Sequence, residues 1–239
     1  MNVAIIFAGG TGQRMSSTGV PKQFLLVHQK PIIVHTLEHF QNSPNIDKII
    51  VVSLESGIPQ VKSLIVKFGL TKVVSIIAGG KTGQESIFHG LEECRRLCDD
   101  DTIVLLHDGV RPIINENMIE DCISCVLHHG NAITVAPATE TTFIKGAEVN
   151  TAGKILDRSR CVIAKAPQCF FLGDIHAAHL KSNDEKLEFI DSASMMQYFG
   201  HELYLVEGLP ANIKITTPID FYTFKSYLDV QDSMNVIGL

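Results

Sequence analysis

The chain has 239 residues, 45% of them hydrophobic, and a formal net charge of −6. That length suits one large α/β domain or two small ones, and the negative balance excludes a general polyanion-binding surface, so cations that bind phosphate must be local and no nucleic-acid partner is expected. No stretch reaches the roughly 18 apolar residues of a membrane span, the first ten residues lack the basic start of a secretory signal, and a chain this long and apolar needs no disulfide framework, so a reduced, cytoplasmic setting with no membrane partner is the expectation.

The first apolar run, residues 3–7, predicts a buried strand. It leads directly into Ala8-Gly9-Gly10-Thr11-Gly12-Gln13-Arg14-Met15. Glycines placed there let backbone N–H groups approach an anion that a side chain would block. Arg14 adds a planar donor fork suited to phosphate oxygens. Pro21-Lys22-Gln23 follows, and Pro21 stiffens a turn that aims Lys22 at the same place. Spacing separates this loop from two better-known ones. A dinucleotide fold needs G-x-G-x-x-G, whereas Met15 stands where the third glycine belongs. A Walker A loop needs G-x-x-x-x-G-K-[ST]; Gly80-Lys81-Thr82 supplies its tail, but Ser75 stands at its head. The competing reading, a tight turn without a ligand, leaves Arg14 and Lys22 without a structural reason.

Further strand-length runs at 49–52, 73–77, 103–106, 132–135 and 203–206 alternate with helical patterns at 32–40, 57–68, 84–97 and 118–128. This order predicts an α/β fold, a mostly parallel sheet flanked by helices, with ligands beyond the carboxyl ends of the strands. The run 73–77 ends in Ala78-Gly79-Gly80, with Ser86 near the start of the next helix. Glycines and a hydroxyl suit backbone recognition of a flat base, and equally a helix cap. The run 103–106 ends in His107-Asp108-Gly109-Val110-Arg111-Pro112. Asp108 is there placed to hold Mg²⁺, with Arg111 facing the same cleft; the alternative is an ion pair that only ties down the loop. Cys122 and Cys125, followed by His128 and His129, lack the second ligand pair of a zinc site and read as small hydrophobes on an amphipathic helix.

Residues 138–164 break the alternation. They are polar, contain Gly146 and Gly153, and alternate weakly at 142–145 and 154–157 as a hairpin does. They read as an arm off a single domain spanning 1–239. Near the end, Lys214 lies in a strand-like edge run closing at Pro218, and Asp220 leads a last helix.

These words, together with Phe24-Leu25, Lys30-Pro31-Ile32, His35-Thr36, Asp157-Arg158, Pro167-Gln168 and Phe170, resemble the 2-C-methyl-D-erythritol 4-phosphate cytidylyltransferases and their relatives, the ribitol-5-phosphate cytidylyltransferases. The resemblance covers nearly the whole chain. It implies a Rossmann-like nucleotidyltransferase fold, a homodimer joined through its arms, CTP and a small polyol phosphate as substrates, and Mg²⁺ as cofactor. By that match Ala8, Gly9, Gly10, Thr11 and Gly12, with Arg14 and Lys22, hold the triphosphate. Gly79, Gly80 and Ser86 contact the cytosine, and Asp108 serves the metal and ribose. Arg111, Thr141, Arg158 and Lys214 surround the acceptor phosphate, Thr141 and Arg158 coming from the partner's arm. Arg14, Lys22 and Lys214 are the catalytic cations.

Three positions depart from the family: Gly83 replaces an arginine, Ala166 a threonine, and Ile190-Asp191-Ser192-Ala193 a Thr-Asp word. Asp157-Arg158 and Ala193-Ser194 favour methylerythritol phosphate as acceptor, on the route to isoprenoid precursors. The opening Ile6-Phe7-Ala8-Gly9-Gly10-Thr11-Gly12 favours ribitol 5-phosphate, on the route to cell-wall or capsule polymers. The sequence leans slightly to the former. A nicotinamide oxidoreductase and a catalytically silent nucleotide-binding protein are the competing classes; the glycine spacing opposes the first.

Overall fold

The computed structural model describes residues 1–10 and 20–237. Strand β1 (Asn2–Ala8) precedes a small hairpin of β2 (Leu26–Val27) and β3 (Lys30–Pro31), then α1 (Ile32–Asn42), β4 (Lys48–Ser53), α2 (Ile58–Phe68) and β5 (Val73–Ala78). Next come α3 (Gly83–Leu97), β6 (Ile103–Asp108), α4 (Glu116–His129) and β7 (Asn131–Pro137). A second hairpin, β8 (Phe143–Lys145) and β9 (Ala152–Ile155), leads to the long strand β10 (Val162–Phe171). The chain ends with α5 (Leu172–Glu185), α6 (Ser192–Tyr198), β11 (Leu205–Glu207) and α7 (Pro218–Ile237).

Seven strands form one sheet in the order β11-β7-β10-β6-β1-β4-β5. Only β10 runs against the others, pairing antiparallel with β6 and β7. The sheet is covered on both faces, which is why its strands read as continuous apolar runs. Along β1 the side chains alternate between two cores. Ala4 and Ile6 meet residues of α1, α2 and α4, while Val3 and Ile5 meet residues of α3, α5 and α6. A third, smaller core joins Phe224 of α7 to Val27, Ile32, Val110 and Ile215. Burying a side chain such as Phe224 contributes roughly 1.5–3 kcal/mol.

Local chemistry sets the helix limits. Asn115 caps α4 by accepting the Met118 N–H at 3.0 Å, and Gly130 ends it at φ +90°. Cys122 lies in the core on the buried face of α4, as a small hydrophobe does, its thiol 3.4 Å from the Thr134 hydroxyl.

The structure corrects three expectations. The arm ends before 164, because Val162, Ile163 and Ala164 already pair with Pro137, Ala136 and Val135 of β7. Strand β10 and helices α5 and α6 carry core residues, among them Phe170, Ile175 and Met195, that the apolar runs alone did not reveal. And Lys214 lies on no strand. Its segment is an irregular stretch fastened by the Ile215 N–H, which donates to the Val110 carbonyl at 2.8 Å.

Candidate active site

The carboxyl ends of β1 and β6, the turn after β5 and the start of β10 share one edge of the sheet. There a cavity of about 1220 Å³ opens, lined by Ala8, Gly9, Gly10 and Lys22 from the first turn, and by Asp108, Arg111, Lys165 and Lys214 opposite. A ligand-binding cleft belongs at this edge in such sheets. Thr11, Gly12 and Arg14 lie outside the described residues.

In the first turn Pro21 precedes a short 3₁₀ turn, Lys22–Phe24. Gln23 is buried, and its Nε2 donates to the Ala8 carbonyl at 2.9 Å, tying the turn to the end of β1. Lys22 runs alongside Gly10: a Cβ there would sit 3.5 Å from the lysine Cε.

In the second turn Ser86 Oγ accepts the Gly80 N–H at 3.0 Å and donates to the Thr82 carbonyl at 2.9 Å. Thr82 caps α3 through the Glu85 N–H at 3.0 Å. A Cβ on Gly79 would come within 2.8 Å of Ser86 Oγ, so this turn closes only around a glycine or a displaced serine. Gly80 and Ser86 line the cavity, whereas Gly79 does not. A Cβ at Gly83 would meet nothing within 4 Å, so crowding does not explain the missing arginine. The neighbouring Gln84 spans the wall instead, donating to Ser182 Oγ at 2.8 Å and to the Leu187 carbonyl at 3.0 Å.

Asp108 ends β6 and pairs in register with Phe7 of β1. Its Oδ1 accepts from Lys214 Nζ at 2.6 Å and its Oδ2 from Arg111 Nε at 3.3 Å. Burial opposes ionisation of this carboxyl, but the Lys214 and Arg111 cations prevail and hold its pKa below the ordinary carboxylate value. Arg111 also donates from Nη1 to the Asn212 carbonyl at 2.9 Å. Fully buried Asn212 in turn donates from Nδ2 to the Ala166 carbonyl at 2.8 Å. Beneath them His107 Nε2 donates to the Arg111 carbonyl at 2.9 Å. Burial pushes that imidazole down to about 4, so it serves as a neutral donor at physiological pH.

On the remaining wall Gln168 Nε2 donates to Asp191 Oδ2 at 3.0 Å, while Asp191 Oδ1 caps α6 through the Ser194 N–H at 2.8 Å. Thr141 and Arg158 are exposed on the arm and do not line the cavity of their own chain; Arg158 Nη1 donates to the Thr139 carbonyl at 3.2 Å. Among the cavity residues that sequence reasoning missed is Lys165. Its one signal is a charge set inside the otherwise apolar run 162–171.

A family model described as "IspD: 2-C-methyl-D-erythritol 4-phosphate cytidylyltransferase" matches residues 2–230. The chain belongs to this family. It is a cytidylyltransferase. It is 46% identical, over 100% of both chains, to the ribitol-5-phosphate cytidylyltransferase of Streptococcus agalactiae serotype III. It is 36% identical to the 2-C-methyl-D-erythritol 4-phosphate cytidylyltransferase of Clostridium acetobutylicum, over 95% of this chain and 97% of that one. Among solved structures, the 4-diphosphocytidyl-2C-methyl-D-erythritol synthase of Anaerococcus prevotii superposes with a TM-score of 0.83 at 25% identity, covering 96% of each chain.

Proposed function

We propose that this cytidylyltransferase moves the CMP unit of CTP onto D-ribitol 5-phosphate, giving CDP-ribitol and pyrophosphate. The acceptor preference thereby shifts from methylerythritol phosphate. What supports the shift is end-to-end identity of 46% to a ribitol-phosphate enzyme against 36% to a methylerythritol one. What carries the chemistry is the single cavity that collects Lys22 on one side and Arg111 and Lys214 on the other.

An oxygen of the acceptor phosphate attacks the α-phosphorus of CTP. A new P–O bond forms there as the bond to the β-phosphate oxygen breaks, and pyrophosphate leaves with that electron pair. Both reactants are anions, so the protein's task is positioning and charge neutralisation. Lys22, joined by Arg14, serves the triphosphate; Lys214 and Arg111 serve the acceptor. Gly80 and Ser86 hold the base end, with Gly79 shaping their turn.

Mg²⁺ fits the donors present. Asp108 offers one carboxylate, and each of its oxygens keeps a lone pair beyond its single cation contact. Magnesium is commonly held by one or two carboxylates, waters and substrate phosphates. Bound there, it would neutralise phosphate charge as a Lewis acid. Thr141 and Arg158 are proposed to reach the acceptor of a second subunit. The exposed apolar side chains of the arm, Phe143, Ile144 and Ile155 among them, support such a homodimer.

The test is pyrophosphate release from CTP with ribitol 5-phosphate, methylerythritol phosphate and glycerol phosphate side by side. The expected result is a kcat/KM for ribitol 5-phosphate at least about tenfold above the others, a difference near 1.4 kcal/mol. A higher value with methylerythritol phosphate reverses the acceptor assignment.

A further inference from the structure

We propose that Lys165 is a further acceptor-binding residue, its ammonium making a direct ionic contact with the phosphate monoester of the polyol. This rests on the acceptor reading given above. Three observations lead to it.

The first is placement. Along β10, Ala164 pairs with Val135 and Gln168 with Ile133, so four steps on β10 match two on β7. Pairing with β6 begins only at Gln168, opposite Leu106. The intervening residues 165–167 bulge off the ladder just beyond the carboxyl end of β6, where Asp108 lies. Asn212 Nδ2 fixes the bulge at the Ala166 carbonyl, and Thr134 Oγ1 fixes it at the Pro167 carbonyl, at 2.8 and 2.7 Å. Bulges of this kind re-aim a side chain next to a site. Lys165 accordingly lines the main cavity, and also a small cleft of about 230 Å³ at the foot of the arm. The strand order assigns its end of the cavity. The base turn follows β5, the phosphate loop follows β1, and β6 and β10 lie beyond β1 on the side away from the base.

The second is charge. Arg111 and Lys214 are both engaged by Asp108, so the three together carry one net positive charge. A phosphate monoester carries about −1.5 to −2 at pH 7. Lys165 raises the set to two positive charges and balances the incoming group. Among the described residues it makes no hydrogen bond or ion pair, even with Glu140, which shares the small cleft.

The third is its surroundings. Burial first, and the charge of Arg111 second, push the Lys165 pKa down. An ammonium set beside a like charge without an anion of its own is disfavoured, and a dianion between the cations turns that repulsion into attraction. Pro167, which cannot donate to a ladder, accounts for the bulge itself; a lysine whose head simply extends into water gives no reason for a partly buried ammonium set beside Arg111.

The experiment compares wild type with Lys165→Met and Lys165→Arg, varying CTP and ribitol 5-phosphate separately and recording thermal unfolding of each. Lys165→Met should raise the acceptor KM about 10- to 100-fold, the range of one charge-assisted contact. The CTP KM should stay within about twofold, and Lys165→Arg should recover most of the loss. An unchanged acceptor KM, or an equal rise in the CTP KM, overturns the proposal. If the wild type turns over none of the polyol phosphates, the functional reading fails separately. Calorimetric binding of ribitol 5-phosphate then decides: weaker binding to Lys165→Met than to wild type supports the contact, and equal binding, or none to either, overturns it.

Discussion

Asp108 is the residue on which the proposed acceptor side turns. Two cations more than a hundred positions apart in the chain, Arg111 and Lys214, converge on its two oxygens. Its spacing in the His107-Asp108 and Arg111-Pro112 words was legible because a strand end followed by an acid and a cation has few structural uses. The ion pair and the metal-holding role, which competed at that point, are compatible: the carboxylate orients the cations and keeps lone pairs to offer. Lys165 was not legible, since one lysine in an apolar run carries no spacing of its own. The Asp108 pKa gives a stability prediction. A folded-state pKa held below the unfolded value of about 3.9 contributes stability above that value, lost as pH falls through the folded one. Wild type should therefore exceed Asp108→Asn in urea stability at pH 7, and the gap should close as pH drops from about 5 toward 2. A gap unchanged across that range would show that these cations do not hold the carboxylate.

At the scale of elements, β1, β4 and β6 announced themselves because parallel strands covered on both faces are apolar throughout. Strand β10 did not, because Pro167 argues against an interior strand; the bulge at 165–167 takes the proline out of the ladder and removes the conflict. The segment around Lys214 erred the other way. Its alternation imitates a strand, yet Ile213 and Ile215 face a local core rather than a sheet. Asn212 joins these two irregular pieces, holding the Ala166 carbonyl with its side chain and Arg111 with its backbone. Asn212→Ala should strand the Ala166 carbonyl and cost about 1–3 kcal/mol in chemical denaturation. The acceptor KM should rise with it, since Arg111 and the bulge lose a common anchor. A variant as stable as wild type would mean that water replaces the amide without loss.

At the scale of the molecule, the proposed reading separates tasks along the sheet's edge: base recognition after β5, triphosphate after β1, acceptor after β6 and β10. That ligands belong at this edge followed from the alternation of strands and helices, whereas the division of tasks and the arm's use came only from the resemblance, because a polar hairpin reads alike whether it meets water or another subunit. Phe143 and Ile155 are cross-strand partners on that hairpin, both exposed. If the arm joins two subunits, Ile155→Asp should shift the protein from dimer to monomer in sedimentation velocity. It should also lower kcat/KM for the acceptor while leaving CTP binding within about twofold. A variant that remains dimeric would place the interface elsewhere.

The arm stands on two feet, Pro137 and Val162, which pair with each other at the base of β7 and β10. Lys165 is three residues further along the second foot. Whatever grips the hairpin therefore holds a handle whose other end is in the acceptor cleft. Linkage makes such a handle work in both directions: if gripping it sharpens the grasp on a polyol phosphate, then filling the cleft must tighten the grip by the same factor.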